Sequence, residues 1–280
     1  MYEIVVKKSL GEGVNLYGIY APDIASKVLP GQFVILRVSD KGERVPITVA
    51  NADKKEKTIT IMVQTLGKTT HMLSELNKGD SLSDVVGPLG VPTEIEKFGT
   101  VVCIGGGFGI AAVYPIAKAL RDLGNNVISI IGARSKNLLL MENEMRSASS
   151  EILIATNDGS YGTKGIVTDV LRRLIYEDNL PINRVVAIGP VIMMKAVSDL
   201  TRERHIKTMV SLNPIMIDGT GMCGACRVLV DNKIKFACVD GPDFDGHLVD
   251  FDNLMSRLKF YKEEEKASYE CHMKEHHNKV

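Results

Sequence analysis

The sequence carries no excess of either charge: 34 lysines and arginines balance 34 aspartates and glutamates across 280 residues. There is no positive field to attract nucleic acid or an anionic membrane surface, so neither is an expected partner. It also lacks any run of about 18 apolar residues, the length needed for a helix to cross a bilayer. The start, Met1-Tyr2-Glu3-Ile4, has no basic stretch followed by an apolar core, so a soluble, unexported, cytoplasmic chain is expected. Cysteine is sparse and odd in number, with three of the five lying between Cys223 and Cys238. That is a poor basis for a disulfide framework in a chain of this length and a better one for a metal site in a reducing compartment. Internal repeats and low-complexity tracts are absent as well.

What is present is enough apolar residue, 45% of the chain, to fill two sizeable cores. From Tyr2 to about Val86, short β-branched and aromatic runs alternate with turns: Glu3 to Lys7, Leu16 to Tyr20, Phe33 to Val38, Pro46 to Ala50 and Thr58 to Val63. This rhythm predicts an antiparallel barrel, interrupted by one helix from Thr69 to Leu76, with Gly87-Pro88-Leu89-Gly90 as its exit. After Gly99 buried strands alternate with helices, which predicts a parallel sheet with crossover connections. The strands are placed at Thr100 to Ile104, Val127 to Ile131, Ile152 to Ala155, Val185 to Ile188 and Thr208 to Val210. The helices are placed at 110–123, 138–145, 166–176 and 192–203, with Gly124 capping the first. The expected units are a barrel over 1–98, an α/β domain over 99–211, a cysteine-bearing subdomain over 212–250, and a helix and polar, solvated tail over 251–280.

Three segments carry chemistry. The first is Asp218-Gly-Thr-Gly-Met-Cys223-Gly-Ala-Cys226, followed by Cys238 after an apolar ribbon from Arg227 to Phe236. Its spacing matches the plant-type pattern for a 2Fe-2S cluster, with Asp218 standing where the first cysteine belongs. The small residues between the ligands let backbone N–H groups approach the sulfurs. A structural zinc held by the same thiolates plus Asp218 or His247 is the alternative, although only one Cys-x-x-Cys knuckle is present. Asp218 also suits a simple turn, Cys271 beside His272 is a distant substitute ligand, and Cys103 reads as a small core residue.

The second segment is the glycine loop Gly105, Gly106, Gly107, Phe108 and Gly109, which follows a buried strand and opens a helix. There the backbone N–H groups and the helix dipole favour a pyrophosphate. The next strand ends in Arg134 rather than a carboxylate, so local chemistry leaves NAD and NADP both open. The third segment pairs Arg44-Val-Pro46-Ile47-Thr48 in a barrel strand with Gln64-Thr-Leu-Gly67-Lys68-Thr69-Thr70 at a helix start. A glycine, two hydroxyls and a helix N-terminus make an anion cradle, though Thr69 as a plain cap and Arg44 as a plain surface charge are equally consistent with the residues.

In this order the three segments resemble the ferredoxin-NADP reductase superfamily, in the branch of electron-transfer subunits carrying FAD and a C-terminal 2Fe-2S cluster. The likeness covers nearly the whole chain. It implies a flavin-binding antiparallel barrel, a Rossmann-like nucleotide domain and a small iron-sulfur subdomain. Arg44, Pro46, Ile47 and Thr48 are then expected at the flavin, with Thr48 near N5, and Gln64, Gly67, Lys68, Thr69 and Thr70 at its pyrophosphate. Gly105, Gly106, Gly107 and Gly109, with Arg134, Asn157, Asp158, Gly189 and Pro190, are expected at the nicotinamide nucleotide. Asp218, Cys223, Cys226 and Cys238 are expected at the cluster.

Within that branch, the electron-transfer subunit of dihydroorotate dehydrogenase uses four cysteine ligands. The small subunit of NADH-dependent reduced ferredoxin:NADP+ oxidoreductase accepts an acidic residue in the first position, and Asp218 resembles it. That resemblance implies NAD(H) in this chain, and hydride exchange with FAD across rings stacked at about 3 to 3.5 Å. It further implies single electrons passed through the cluster to a larger subunit with its own flavin and 4Fe-4S clusters, where electron bifurcation occurs and ferredoxin is reached indirectly. No acid-base pair is expected, because the cofactors carry the chemistry. Two rivals are a zinc-stabilised nucleotide-sensing regulator and a pure electron relay with an empty nucleotide site.

Overall fold

The structure, a computed structural model, describes residues 2–11, 13–40 and 42–277; Met1, Glu12, Lys41 and the end of the polar tail, Asn278 to Val280, lie outside them. The first sheet is antiparallel throughout and nearly closed. Its strands are β1 (Tyr2–Gly11), β2 (Val14–Tyr20), β3 (Phe33–Arg37), β4 (Arg44–Asp53), β5 (Thr58–Gln64), β6 (Ser81–Leu82) and β7 (Asp84–Leu89), ordered β6-β1-β2-β5-β4-β3-β7. Alternation sets its inside: Tyr17 faces Ile61 and Ile19 faces Ile59 across β2 and β5, and all four are buried. Helices α1 (Pro22–Lys27) and α2 (Lys68–Glu75) close its flanks, and the Tyr17 hydroxyl donates to Leu73 O at 3.0 Å, tying α2 to the barrel. Gly87, Pro88 and Leu89, read as the exit, belong to β7, and the chain turns away at Gly90, where φ is +81°.

The second sheet holds β8 (Thr100–Gly106), β9 (Asn126–Ala133), β10 (Glu151–Thr156), β11 (Thr163–Lys164), β12 (Arg184–Ile188) and β13 (Lys207–Ser211), all parallel. Between them run α3 (Gly109–Asp122), α4 (Glu142–Ser147), α5 (Val167–Tyr176) and α6 (Val191–Arg202). The order β11-β10-β9-β8-β12-β13 reverses direction at β8, so the loops leaving β8 and β12 flank one crevice at the carboxyl ends of the strands.

The helix expected at 138–145 starts later. A 3-10 turn, Lys136–Leu138, comes first, and Met141 takes a left-handed φ of 54° before α4 begins. The apolar run that reads as helix is spent on packing: Leu140 and Met141 lie against Val14 and Met62 of the barrel.

After β13 comes a hairpin of β14 (Arg227–Val230) and β15 (Lys233–Phe236), turned by Asp231 and Asn232 with φ of 52° and 57°. The short β16 (Asp243–Asp245) then adds to β13 as an antiparallel edge. Two helices follow, α7 (Phe251–Arg257) and α8 (Lys262–His277). The tail expected to be solvated is not wholly so, because α8 sits on α2 with His272 buried and Ser268, Tyr269 and Met273 half-buried. Among the described residues no helix is long and apolar enough to cross a membrane.

Candidate functional site

The loop between β13 and β14 is shaped by glycines at positions only glycine occupies easily: Gly219, Gly221 and Gly224 have φ of +77°, +82° and +67°. Asp218 organises its first turn, one carboxylate oxygen accepting from the Thr220 N–H at 3.0 Å and the other from the Cys223 N–H at 3.0 Å. These bonds, that from Thr220 foremost, hold its carboxyl below the usual carboxylate range. The Cys226 and Cys238 sulfurs lie 3.2 Å apart as free thiols, both buried, while Cys223 is exposed. Burial, and then the neighbouring Cys226, pushes the Cys238 thiol up to about 12.

The Asp218 carboxylate thus meets the Cys223 backbone N–H rather than its thiol, while the Cys226 and Cys238 sulfurs lie side by side. Among the described residues, the group of three or more such donors gathered within 4.8 Å is a different one, His71, Glu75 and His272. Zinc ribbons pair two Cys-x-x-Cys knuckles, whereas a plant-type two-iron cluster takes one such knuckle with a distant cysteine, so the spacing of Cys223, Cys226 and Cys238 fits the cluster better than zinc. His247, in the turn after β16, is taken out of the set by its contact with α6, where its Nε2 meets the Thr201 hydroxyl at 2.9 Å. Cys103 is a buried β8 core residue whose thiol burial pushes up to about 12, and Cys271 is exposed on α8. Two guanidiniums not foreseen as partners grip the loop: Arg257 donates to Ala225 O at 3.2 Å and Arg227 to Gly224 O at 3.1 Å. Their charge suits a group built from thiolates and a carboxylate.

This loop is pressed onto the barrel. A Cβ on Gly219 would fall 2.6 Å from Ile35 Cδ1 and 2.8 Å from Leu89 Cδ1. Ile35 on β3 is the cross-strand partner of Pro46 on β4. Cys226, Cys238 and Val228 share one apolar core with Phe33, Ile35 and the α/β sheet. The cluster loop and the Arg44-to-Thr48 strand are thus separated by a single strand.

From Arg44 to Thr48, β4 pairs with β3, while its register with β5 begins only at Val49. That half of the strand has an open edge, which tolerates Pro46 with its missing N–H. Arg44 reaches Asp84 at 3.8 Å across an exposed surface, where such a pair contributes little and leaves the guanidinium available. At the start of α2, Gln64 ends β5 in an exposed position and Gly67 is the N-cap. Thr70 uses its hydroxyl locally, accepting from the Leu66 and Gly67 N–H groups at 2.9 and 3.0 Å and donating to Gly67 O. Thr69 and Lys68 face an anion already: the Thr69 hydroxyl donates to Glu43 at 3.1 Å and the Lys68 ammonium lies 3.8 Å from the same carboxylate. A carboxylate thus stands where a phosphate would, and the donors suit either. Glu43 was not legible as part of this site, being 26 positions from Thr69 with no motif joining them.

In the crevice of the second sheet the glycines divide by role. Side chains at Gly105, Gly106 and Gly109 would collide with Ile110 of α3, Met193 of α6 and the Ile188 carbonyl of β12, so these glycines let α3 and α6 close against β8 and β12. Gly189 is bounded in the same way by Met193 and the Gly106 carbonyl. Gly107 differs, with φ of +54° and nothing within 4 Å of its missing side chain, while its N–H donates to the Gly132 carbonyl at 2.8 Å. No side chain caps α3 or α6, whose N-termini, at Phe108 and Pro190, border this space. Arg134, Asn157 and Asp158 are exposed at the ends of β9 and β10, and Ser160 bonds hold the Asp158 carboxyl below its usual range. Phe108 and Ala111 pack on Val14 and Met62, setting the glycine loop beside the barrel.

Comparison with known proteins agrees with this geometry. Residues 213–250 match the family model of the iron-sulfur cluster binding domain of dihydroorotate dehydrogenase B. A dihydroorotate dehydrogenase B (NAD(+)) electron transfer subunit homolog from Thermotoga maritima is 50% identical over 272 residues, covering 97% of this chain and 95% of that protein. The electron transfer subunit of Fusobacterium nucleatum dihydroorotate dehydrogenase B (NAD(+)) is 36% identical over 221 residues, 76% of this chain and 83% of that one. A chain in a solved structure of the NADH-dependent reduced ferredoxin-NADP oxidoreductase, studied for flavin-based electron bifurcation, superposes with a TM-score of 0.92 at 48% identity, covering 98% of each chain.

Proposed function

The chain belongs to the family of dihydroorotate dehydrogenase B (NAD(+)) electron transfer subunits and their homologues, and from that membership we propose that it is the FAD- and 2Fe-2S-carrying subunit of an NADH-dependent reduced ferredoxin:NADP+ oxidoreductase. It would exchange hydride between NAD(H) and FAD and pass single electrons to a larger flavin- and 4Fe-4S-bearing partner, with ferredoxin reached through that partner. The observation that carries this is the seam in which Gly219 of the cluster loop abuts Ile35, the cross-strand neighbour of Pro46 on the flavin strand. Asp218 in place of a first cysteine supports this branch, as does the superposition on the oxidoreductase chain over 98% of each chain at a TM-score of 0.92; identity alone does not separate the branches, being 48% there and 50% with the T. maritima homolog. A dihydroorotate-linked role is the alternative.

Bound FAD supplies two-electron exchange with the nicotinamide and one-electron release, and the cluster carries single electrons onward. The residues hold and orient. Arg44, Lys68 and Thr69 would neutralise the flavin phosphates, with Thr70 and Gly67 fixing the start of α2 and Gln64 at its approach. Pro46, Ile47 and Thr48 would line the open edge of β4, with Thr48 at the flavin N5 side. The open space beside Gly107 and the uncapped start of α3 would take the nucleotide pyrophosphate, with Arg134, Asn157, Asp158 and Pro190 around it. Asp218, Cys223, Cys226 and Cys238 would hold the cluster. Residues 1–98, 99–211, 212–250 and 251–280 would act as flavin, nucleotide, cluster and tail units. A reducing, cytoplasmic setting belongs to the same proposal, since Cys223, Cys226 and Cys238 would serve the cluster as thiolates.

The test is anaerobic purification followed by the visible spectrum, metal and flavin content, and an NADH titration. FAD with about two irons per chain, bleached by NADH, is the expected result. Folded protein containing zinc without iron or flavin would sink the proposal. Asp218→Ala should damage or lose the cluster, and a spectrally unchanged cluster would remove Asp218 from the ligand set.

A further inference from the structure

Helix α8 is oddly seated. Of its described side chains only His272 is buried, with Ser268, Tyr269 and Met273 half-buried, and the rest are polar and exposed. So little apolar area gives weak hydrophobic reason for a 16-residue helix to lie on α2. The contact is instead built from imidazoles and a carboxylate. His71 and Glu75 stand one turn apart on α2, with His71 Nδ1 3.9 Å from Glu75 Oε1. The His272 ring meets the His71 ring edge-on at 5.5 Å between centroids, and Tyr269 flanks His71 from α8 at 5.9 Å. One donor atom from each of His71, Glu75 and His272 lies within 4.8 Å of the others.

We propose that His71, Glu75 and His272 bind a divalent transition-metal ion of the zinc type, which staples α8 to α2. Two imidazoles and a carboxylate are a donor set zinc accepts, with a fourth position left for water or another donor. Zinc–ligand bonds of about 2.0–2.1 Å put tetrahedral donors about 3.3 Å apart, so the three need to close by up to about 1.5 Å, within reach of side-chain rotation. The staple would act on the anion cradle as well. Ser268 of α8 reaches Glu43 at 3.4 Å, and Glu43 is the carboxylate that engages Lys68 and Thr69. Metal at the seam would order the helix that borders the cradle, without touching the cysteine loop.

The full-length chain, purified anaerobically and dialysed against dilute zinc chloride, is compared with His71→Ala and His272→Ala for zinc, iron and flavin content. The cysteines can also take zinc where iron is lost, so the difference between proteins is the readout. One zinc per chain more in the wild type than in either variant, at equal iron and flavin, is expected; equal zinc in all three overturns the site. Glu75→Gln keeps both rings and guards against misfolded alanine variants. Competition with a chromophoric chelator should show its zinc affinity reduced at least about tenfold, the least that loss of a metal-supporting group costs, and an unchanged affinity overturns the site. Zinc should also slow amide exchange across α8 in the wild type alone, and exchange in α8 indifferent to zinc overturns the staple.

Discussion

Replacing Gly219 by alanine tests the seam between cluster loop and flavin strand directly. The residue has φ of +77°, which costs a side-chain-bearing residue about 1–2 kcal/mol. Its new methyl would lie 2.6 Å from Ile35 Cδ1 and 2.8 Å from Leu89 Cδ1. Both are ends of side chains, yet Ile35 is only 2% exposed and has a filled core behind it, so overpacking adds about 1–2 kcal/mol. The sum is about 2–4 kcal/mol. Gly224 in the same loop is the control: its φ is +67°, but the nearest atom to its missing methyl is Phe236 Cε1 at 3.7 Å, so Gly224→Ala bears the backbone cost alone. Thermal unfolding of the two variants, followed through cluster and flavin absorbance, should differ by about 1–2 kcal/mol, or roughly 2–8 °C. In stopped flow with NADH, Gly219→Ala should bleach flavin normally and reduce the cluster more slowly, because the loop is pushed off β3. A Gly219→Ala protein as stable as Gly224→Ala, with cluster reduction at the wild-type rate, would refute the packed seam as the route.

If Lys68 and Thr69 hold the flavin phosphates as proposed, Glu43 competes with phosphate for them, so Glu43→Gln should tighten FAD binding several-fold, on the scale of about 1 kcal/mol for one like-charge contact near the surface; fluorescence titration of flavin-free protein measures it, and weaker binding would show that Glu43 supports the site. Thr70→Ala should cost about 1 kcal/mol through the lost bonds to Leu66 and Gly67 while Thr70→Ser restores it; equal stability of the two variants would remove the cap. Glu94 is held below its ordinary range, first by the hydrogen bond from Arg184 at 2.8 Å, and Arg184 is buried against Phe98. A lowered carboxylate stabilises the fold above its unfolded value, and that stability is lost as pH falls through the folded one. Thermal scans from neutral to about pH 3 should therefore show an acid limb that Glu94→Gln flattens, with a neutral-pH loss of about 1 kcal/mol because Glu94 is half in water; identical acid limbs would refute the assignment.

Local chemistry was legible wherever a residue's partner lay near it in the chain or its pattern was periodic. The alternation in β2 and β5 announced the barrel, and the Gly105 loop announced the strand-to-helix turn. Residues 138–145 misled, since Leu140 and Met141 are apolar for the sake of the barrel surface rather than a helix of their own. Thr70 shows how one residue type serves two ends, because a hydroxyl that suits a phosphate also suits the N–H groups three and four residues back. Glu43, Ile35 and Arg257 gave no signal, being ordinary residues whose importance comes from what lies across a fold seam.

The sequence by itself determined the order of the barrel and α/β units, the cysteine spacing, the glycine loop and the absence of a charge field, because each depends on composition or on separations of a few residues. Only the tertiary structure decided the rest. It joined Asp218 to the Cys223 N–H and laid Cys226 beside Cys238, set Gly219 against Ile35, put Glu43 in the cradle and brought His272 to His71 across 201 positions. Such contacts join segments whose only connection is the packing between them, and packing is a property of the whole folded chain rather than of any stretch of it.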